Sequence, residues 1–436
     1  MNARQRALFL ALTLGLATAC APPAATAPAA PSAPAAARPA AASLRAGTSG
    51  DYPPFSRWKD DHPEDFAAAL LGAFAADQRL ALSWSRFRWP DLDADLRAGL
   101  FDLAADGITV RPERSVTGRF TVPVARGGAV LLLRRPAWAL TTGAGVPALA
   151  ALHALDRAEL RVAVNRGGHL ERVARGLLTS AHLVAVAENS AVREALARGE
   201  VDAVMTNTFE APRWAQGLEG LERIGPLTHD VVALYVRADQ PELAARLDTW
   251  LLAQEESGAL GALRARHLGG GGPTATPLGA LLSAVAERLA LMPLVAAAKR
   301  RSGKPVEDTA QEARVIEGAR EVVRRAAAER GVAPPRTEVL DAFFRAQVEA
   351  AKVVQRCAPS AAMAPAFSLD DDLRPAIARI TARMAFLLVR LPPGLAPAAV
   401  AEQARDELAG SGLDDATITA LAAPLAALVP PAPALP

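Results

Sequence analysis

The chain has 436 residues, 51% hydrophobic and 22% charged, a globular balance too long for one ordinary core at roughly 100 to 200 residues per domain. Its 48 basic and 46 acidic residues leave a formal charge of +2, which excludes the strong basic bias of a nucleic-acid binder, so cations needed for chemistry must be gathered locally. Two cysteines and six scattered histidines offer neither a disulfide framework nor a metal-ligand cluster, and no metal or organic cofactor is expected.

The first element is an export signal over residues 1–20. Arg4 and Arg6 precede the apolar run "ALFLALTLGLATA", too short to span a bilayer as a mature helix. "LATAC" resembles a lipoprotein cleavage box with Cys20 as the lipid-bearing residue; an ordinary signal peptide is the alternative. The expected location is therefore the periplasm or the medium, with membrane contact only through such an anchor. Residues 21–43, rich in Pro and Ala, have almost nothing to bury and read as an extended tether.

From 44 to 268 short apolar runs alternate with helical patterns: "LRAGT", "RLALSW", "FDLAADGI", "AVLLLRR", "LRVAV", "HLVAVA", "DAVMT" and "VVALYVR". This alternation predicts parallel sheets covered by helices, arranged as two α/β lobes with a ligand cleft between them.

Four stretches carry a resemblance: "LRAGTSGDYPPFS", "FDLAADGITVRPERSVTGRFTVPV", "RVAVNRGGHLERVARG" and "DAVMTNTFEAPRWA". They are similar to the type 3 extracellular solute-binding proteins and, within them, to the periplasmic cyclohexadienyl dehydratases. The resemblance implies a two-lobed fold and loss of CO₂ and hydroxide from prephenate, with arogenate as a second substrate. By residue chemistry alone, Arg114 beyond the "GITV" strand end offers a planar donor fork for a carboxylate, with Thr109 beside it; a surface pair with Glu113 is the other reading. The family uses this arginine as a carboxylate clamp. "VNRGGH" brings Gly168 and His169 to a helix start, where free amides attract anions. Glu210 of "TNTFEAPRW" matches the family's acid, which would protonate the leaving hydroxyl from an apolar cleft; a solvated helix-start glutamate is its alternative. Trp89, Asp51 and Asn207 complete the implied substrate contacts, although Trp89 also suits a packed core. The chain departs from the family at Asn207, commonly Asp, at His169, commonly Thr, and at "ARGGAV", where a Gly-Lys pair is usual. His169 would then stand in as a donor.

"HLGGGGPTATP" has no periodicity, and residues 269–277 read as a flexible linker between halves that fold on their own cores. From 278 to 428 the pattern is helical, an all-α bundle of three or four long helices interrupted at "GVAPPRTE" and "LPPGLAPA", the latter opening a tail. In "AERLALMPLVAAAKR", Arg288 and Lys299 lie three turns plus about 20° apart and so project from one side. On that helix alone they could be snorkelling side chains.

That stretch, with "VEDTAQEARVI", "DAFFRAQVEAAKVVQ" and "DLRPAIARITARM" in order, resembles the secreted all-helical chorismate mutases of the gamma subclass. The resemblance implies that Arg288 and Lys299 bind chorismate and its ether oxygen, that Gln355 hydrogen-bonds that oxygen, that Arg383 binds a carboxylate, and that Asp308 and Glu312 hold the substrate end. Gln311 stands where the family has arginine, and Arg314 lies three residues on. The expectation is an exported bifunctional enzyme taking chorismate to prephenate and on to phenylpyruvate. The competing expectation is a mutase fused to a non-catalytic solute receptor.

Overall fold

The computed structural model describes residues 42–134, 146–359 and 366–428. The signal-like run, Cys20 and the tether through residue 41 lie outside them.

The apolar runs of the first half form two five-stranded sheets. In the first lobe Ala81–Arg86, Ser43–Thr48, Leu103–Ala104, Tyr235–Arg237 and Gly118–Phe120 lie side by side in that order. In the second the order is His182–Val186, Arg161–Asn165, Ala203–Asn207, Ala129–Arg134 and Leu221–Ile224. The sheets are mixed, not parallel as expected. Ser43–Thr48 and Arg161–Asn165 pair in parallel with both neighbours, and the remaining pairs are antiparallel. The cause is the path of the chain. It leaves the first lobe through Ala125–Gly127 and returns through Asp230–Val232, and these two segments pair antiparallel as a ribbon between the lobes. "VVALYVR" is thereby split between the ribbon and the first sheet, where its sequence reads as one strand.

Ser43–Thr48, Arg161–Asn165 and Ala203–Asn207 all run toward the cleft, so the loops after Thr48, Asn165 and Asn207 gather there, the usual ligand position outside strand carboxyl ends. Gly167, with φ +74°, makes the turn that lets Gly168 cap helix His169–Leu177.

The second half is helical. Its α-helices span Pro277–Ala290, Met292–Ser302, Thr309–Arg330, Thr337–Cys357, Arg374–Leu388, Pro397–Glu407 and Asp415–Leu428. The long helix expected around "AERLALMPLVAAAKR" is interrupted at Leu291, where Pro293 cannot donate a backbone hydrogen bond. Arg288 and Lys299 therefore sit on successive segments. Thr276 caps the first segment by accepting from Gly279 N at 3.2 Å, and Asp308 caps Thr309–Arg330 by accepting from Gln311 N at 2.9 Å. The segment read as a tail carries two further helices with buried Val400, Ala404, Leu421 and Leu425. Pro277–Ser302 is apolar and long enough to cross a membrane, but it is mostly buried within the protein.

The two halves share a core. One cluster contains Leu44, Phe74, Val124 and Trp250 from the first half with Leu281, Phe343, Met384 and Leu425 from the second. The residues read as a flexible linker end pinned: Thr274 and Ala275 are buried, and their amides donate to Glu255 Oε2 at 3.1 and 2.9 Å beside the buried Glu255–Arg264 pair. At the junction Ser115 Oγ donates to Glu287 Oε1 at 2.8 Å, while Arg383 donates to Glu287 Oε2 and to the Phe120 carbonyl. Arg126, in the "ARGGAV" stretch, pairs with Glu407 at 2.5 Å and donates to Ser283. The described residues of both halves thus form one compact unit, where the sequence suggested separable halves. We expect one cooperative thermal transition by calorimetry, and Glu287→Ala, which removes the buried partner of Arg383, to destabilise it by about 3 kcal/mol. Two resolved transitions would show that the shared core is not coupling the halves.

Candidate functional site

Between the lobes, Trp89, Thr109, Arg114, Gly168, His169 and Asn207 line one cavity of about 40 Å³, joined by Tyr52, Asn189 and Asp230. Asp51 borders it: its Oδ1 accepts from Ser49 Oγ at 2.5 Å and Trp89 Nε1 at 3.3 Å. The cleft candidates therefore converge.

Glu210 is fully buried directly behind this wall. Its carboxyl accepts from Asn189 Nδ2 at 2.6 Å, Thr206 Oγ1 at 3.0 Å and Asn207 Nδ2 at 3.0 Å, and its amide donates to Asn207 Oδ1 at 3.0 Å. Burial pushes its pKa up to about 8, the charge of Asp51 adds to the rise, and the three donors oppose it without overcoming it. The carboxyl is thus mostly protonated at neutral pH. This is a sequestered acid, not a solvated helix-start glutamate.

Arg114 is 1% exposed, so it is not a surface ion pair; Glu113 instead pairs with Arg172. Arg114 donates to the Thr109 carbonyl at 3.2 Å, and its closest carboxylate oxygen, on Asp93, is 4.0 Å away. Its guanidinium lies 5.9 Å from the Trp89 ring, and its Nε has no hydrogen-bond partner. Burial, with Arg111 nearby, lowers its pKa to about 9. A buried cation with an open donor and a weak counterion is prepared for an anion. His169 Nε2 lies 3.1 Å from Asp230 Oδ2, so the ring is drawn to the crossing ribbon.

Tyr52, Asn189, Thr206 and Asp230 were not identified as candidates from the sequence. Tyr52, whose hydroxyl accepts from Asn207 Nδ2 at 2.5 Å, had a signal in its place beside Asp51. Asn189, Thr206 and Asp230 carry no motif and reach the cleft only through the fold.

In the helical half Arg288 is 7% exposed, its Nη1 has no hydrogen-bond partner, and burial pushes its pKa down to about 10. Gln355 donates to the Ala351 carbonyl and toward Met292 Sδ, leaving Oε1 buried and unpartnered. Gln347 on the same helix is fully buried with both amide atoms unpartnered, and no sequence signal marked it. Lys299 Nζ donates to the Val306 carbonyl at 2.9 Å; burial lowers its pKa against the opposing charges of Asp308 and Glu312. Glu312 is held by Lys352 at 3.3 Å, and exposed Arg314 donates to Gln311. Arg383 is not free for a ligand, because its donors are committed to Glu287 and Phe120. Among the described residues no group of acidic, His and Cys side chains could hold a metal.

Comparison with known proteins gives the following. The model of the bacterial extracellular solute-binding proteins, family 3, matches residues 44–270. A cyclohexadienyl dehydratase of Pseudomonas aeruginosa is 27% identical over 220 residues, covering 50% of this chain and 79% of that protein. Among solved structures, an ancestral amino-acid-binding protein called a precursor of cyclohexadienyl dehydratase aligns at TM-score 0.46 and 23% identity, over 52% of this chain and 95% of that one. A binding component of an ABC transporter from Wolinella succinogenes, complexed with lysine, aligns at TM-score 0.47 and 23% identity over the same shares.

Proposed function

Because the chain belongs, over residues 44–270, to the bacterial extracellular solute-binding proteins of family 3, we propose that this half is an exported cyclohexadienyl dehydratase and that the helical half is a gamma-type chorismate mutase supplying its substrate. The carrying observation is the placement at one cleft of a fully buried Glu210, whose pKa burial raises to about 8, with a buried Arg114 that lacks a close counterion. A receptor needs the cation to hold a carboxylate. It has no use for a neutral carboxyl that burial keeps protonated.

Once the lobes part to widen the cavity of about 40 Å³, which is far below the ~300 Å³ a small-molecule site needs, Arg114 and the Gly168 region hold the carboxylates of prephenate, and the leaving hydroxyl lies at the Asn189–Asn207 wall. There Glu210 gives it a proton, so water departs instead of hydroxide. The electrons of the breaking carbon–carboxylate bond complete the aromatic ring as CO₂ leaves. Glu210 is left ionised and recovers a proton from solvent. In the helical half the rearrangement needs no proton. Buried Arg288 and half-buried Lys299 fix the dicarboxylate and stabilise negative charge growing on the ether oxygen, Gln355 hydrogen-bonds that oxygen, and Asp308 and Glu312 hold the substrate end.

Arg383, tied up at the junction, needs to release Glu287 before it can bind a carboxylate. Cys20 is the proposed lipid anchor, in keeping with the family's extracellular location.

The test is to incubate the purified chain with chorismate and follow products by chromatography. Prephenate should appear transiently and phenylpyruvate should accumulate. Unchanged chorismate would remove the mutase reading. Unchanged prephenate, with tight binding of an amino acid, would restore the receptor.

A pH profile follows from the same site. Glu210 acts when protonated, so dehydration turnover should be level below neutrality and fall as pH rises through about 8. Arg288, with a pKa of about 10, keeps its charge across that window and the rearrangement transfers no proton, so mutase turnover should not follow the Glu210 profile. Parallel declines in stopped assays of both steps would disconnect the dehydration profile from Glu210.

A further inference from the structure

We propose that the junction of the two halves holds a third site, for a small dicarboxylate. A cavity of about 690 Å³, within the usual range for small-molecule sites, opens there. One wall comes from Ser115, Phe120 and Asp248 of the two-lobed half, the other from helices Thr309–Arg330 and Arg374–Leu388.

Six arginines line it: Arg119, Arg325, Arg330, Arg379, Arg383 and Arg390. Four carboxylates face them, from Glu242, Asp248, Glu287 and Glu329, leaving an excess of two positive charges. Two of those carboxylates are already engaged. Glu287 accepts from Ser115 and Arg383, and buried Asp248 accepts from Val122 N at 2.7 Å. The arginines also crowd one another: burial lowers the pKa of Arg379 with Arg119 adding to the effect, and Arg390 falls to about 10 with Arg330 nearby. Arg379 Nε is buried without a partner, and Arg390 lies 3.5 Å over the Phe386 ring, which fixes its plane.

Forked donors in excess by two charges match a dianion with two planar carboxylates. Five of the six arginines belong to neither catalytic proposal, and the site stands independently of both. A ligand bridging the two walls binds only the folded unit, so it should raise the thermal midpoint.

The test titrates the purified full chain with isophthalate, benzoate and inorganic phosphate, by calorimetry and thermal shift. Isophthalate should bind with at least tenfold higher affinity than benzoate or phosphate and raise the midpoint. Arg379→Gln and Arg390→Gln should each weaken it tenfold or more. Arg325→Glu with Arg330→Glu, at exposed positions that leave the core untouched, should do the same. Arg114→Ala and Arg288→Ala should still bind isophthalate at the junction. The proposal is overturned if isophthalate fails to bind, if benzoate or phosphate binds as well, or if binding survives the double charge reversal but disappears with Arg114 or Arg288.

Discussion

Glu210→Gln is expected to reduce prephenate dehydration about a thousandfold, within the range for losing a general acid, with little change in KM. The carboxyl sits among three donors, Asn189, Thr206 and Asn207. Glutamine keeps an oxygen for Asn189. Its amide then faces the Thr206 hydroxyl, which can turn to accept, and the Asn207 amide, which cannot without losing its bond to the Glu210 backbone. That mismatch should cost about 1 kcal/mol of stability, too little to unfold the chain. Arg114 is untouched, so prephenate still binds. The variant should also lose the decline through about pH 8 expected of the parent. Phenylpyruvate formed at the parent rate would show that the acid is elsewhere; His169, which lines the cavity, would be the first alternative to test by substitution.

The sequence was informative where chemistry depends on a short local pattern. "TNTFEAPRW" places Glu210 after a strand end, and the structure puts it one residue before helix Ala211–Trp214, at the carboxyl end of Ala203–Asn207. "GITVRPER" likewise brings Arg114 to the cleft. What stayed hidden depends on contacts between distant segments. Asn189 meets Glu210 from another helix, and Asp230 meets His169 from the return crossing, neither at a spacing a reader could expect. Strand direction was misread for a related reason: alternating apolar runs record which segments are buried, not that the chain changes lobes twice. The junction was missed because "GGGGPTATP" lacks periodicity. Its Thr274 is nevertheless buried, with its hydroxyl donating to Pro123 O at 3.1 Å, a partner about 150 residues earlier in the chain. The same blindness applies to Arg383, whose place in "TARM" gives no hint that Glu287 has taken it.

Arg288→Ala and Lys299→Ala should each reduce chorismate rearrangement about a hundredfold, the order lost with one preorganised charge contact. Prephenate dehydration should stay at the parent rate in both, since neither residue lines the cleft. A structural arginine could imitate this loss by unfolding the bundle, so stability must be read separately. Arg288 is buried with Nη1 unpartnered, and desolvation alone accounts for its lowered pKa. Its charge therefore weakens the unliganded fold. Arg288→Met, which keeps much of the side-chain volume and removes the charge, should raise stability by about 1 kcal/mol while losing the same factor of about a hundred in rearrangement. Chemical denaturation with a mutase assay on the same sample separates the two roles. A destabilised Arg288→Met would mean that Arg288 braces the helices. A more stable variant that rearranges chorismate at the parent rate would mean that the buried cation serves another anion.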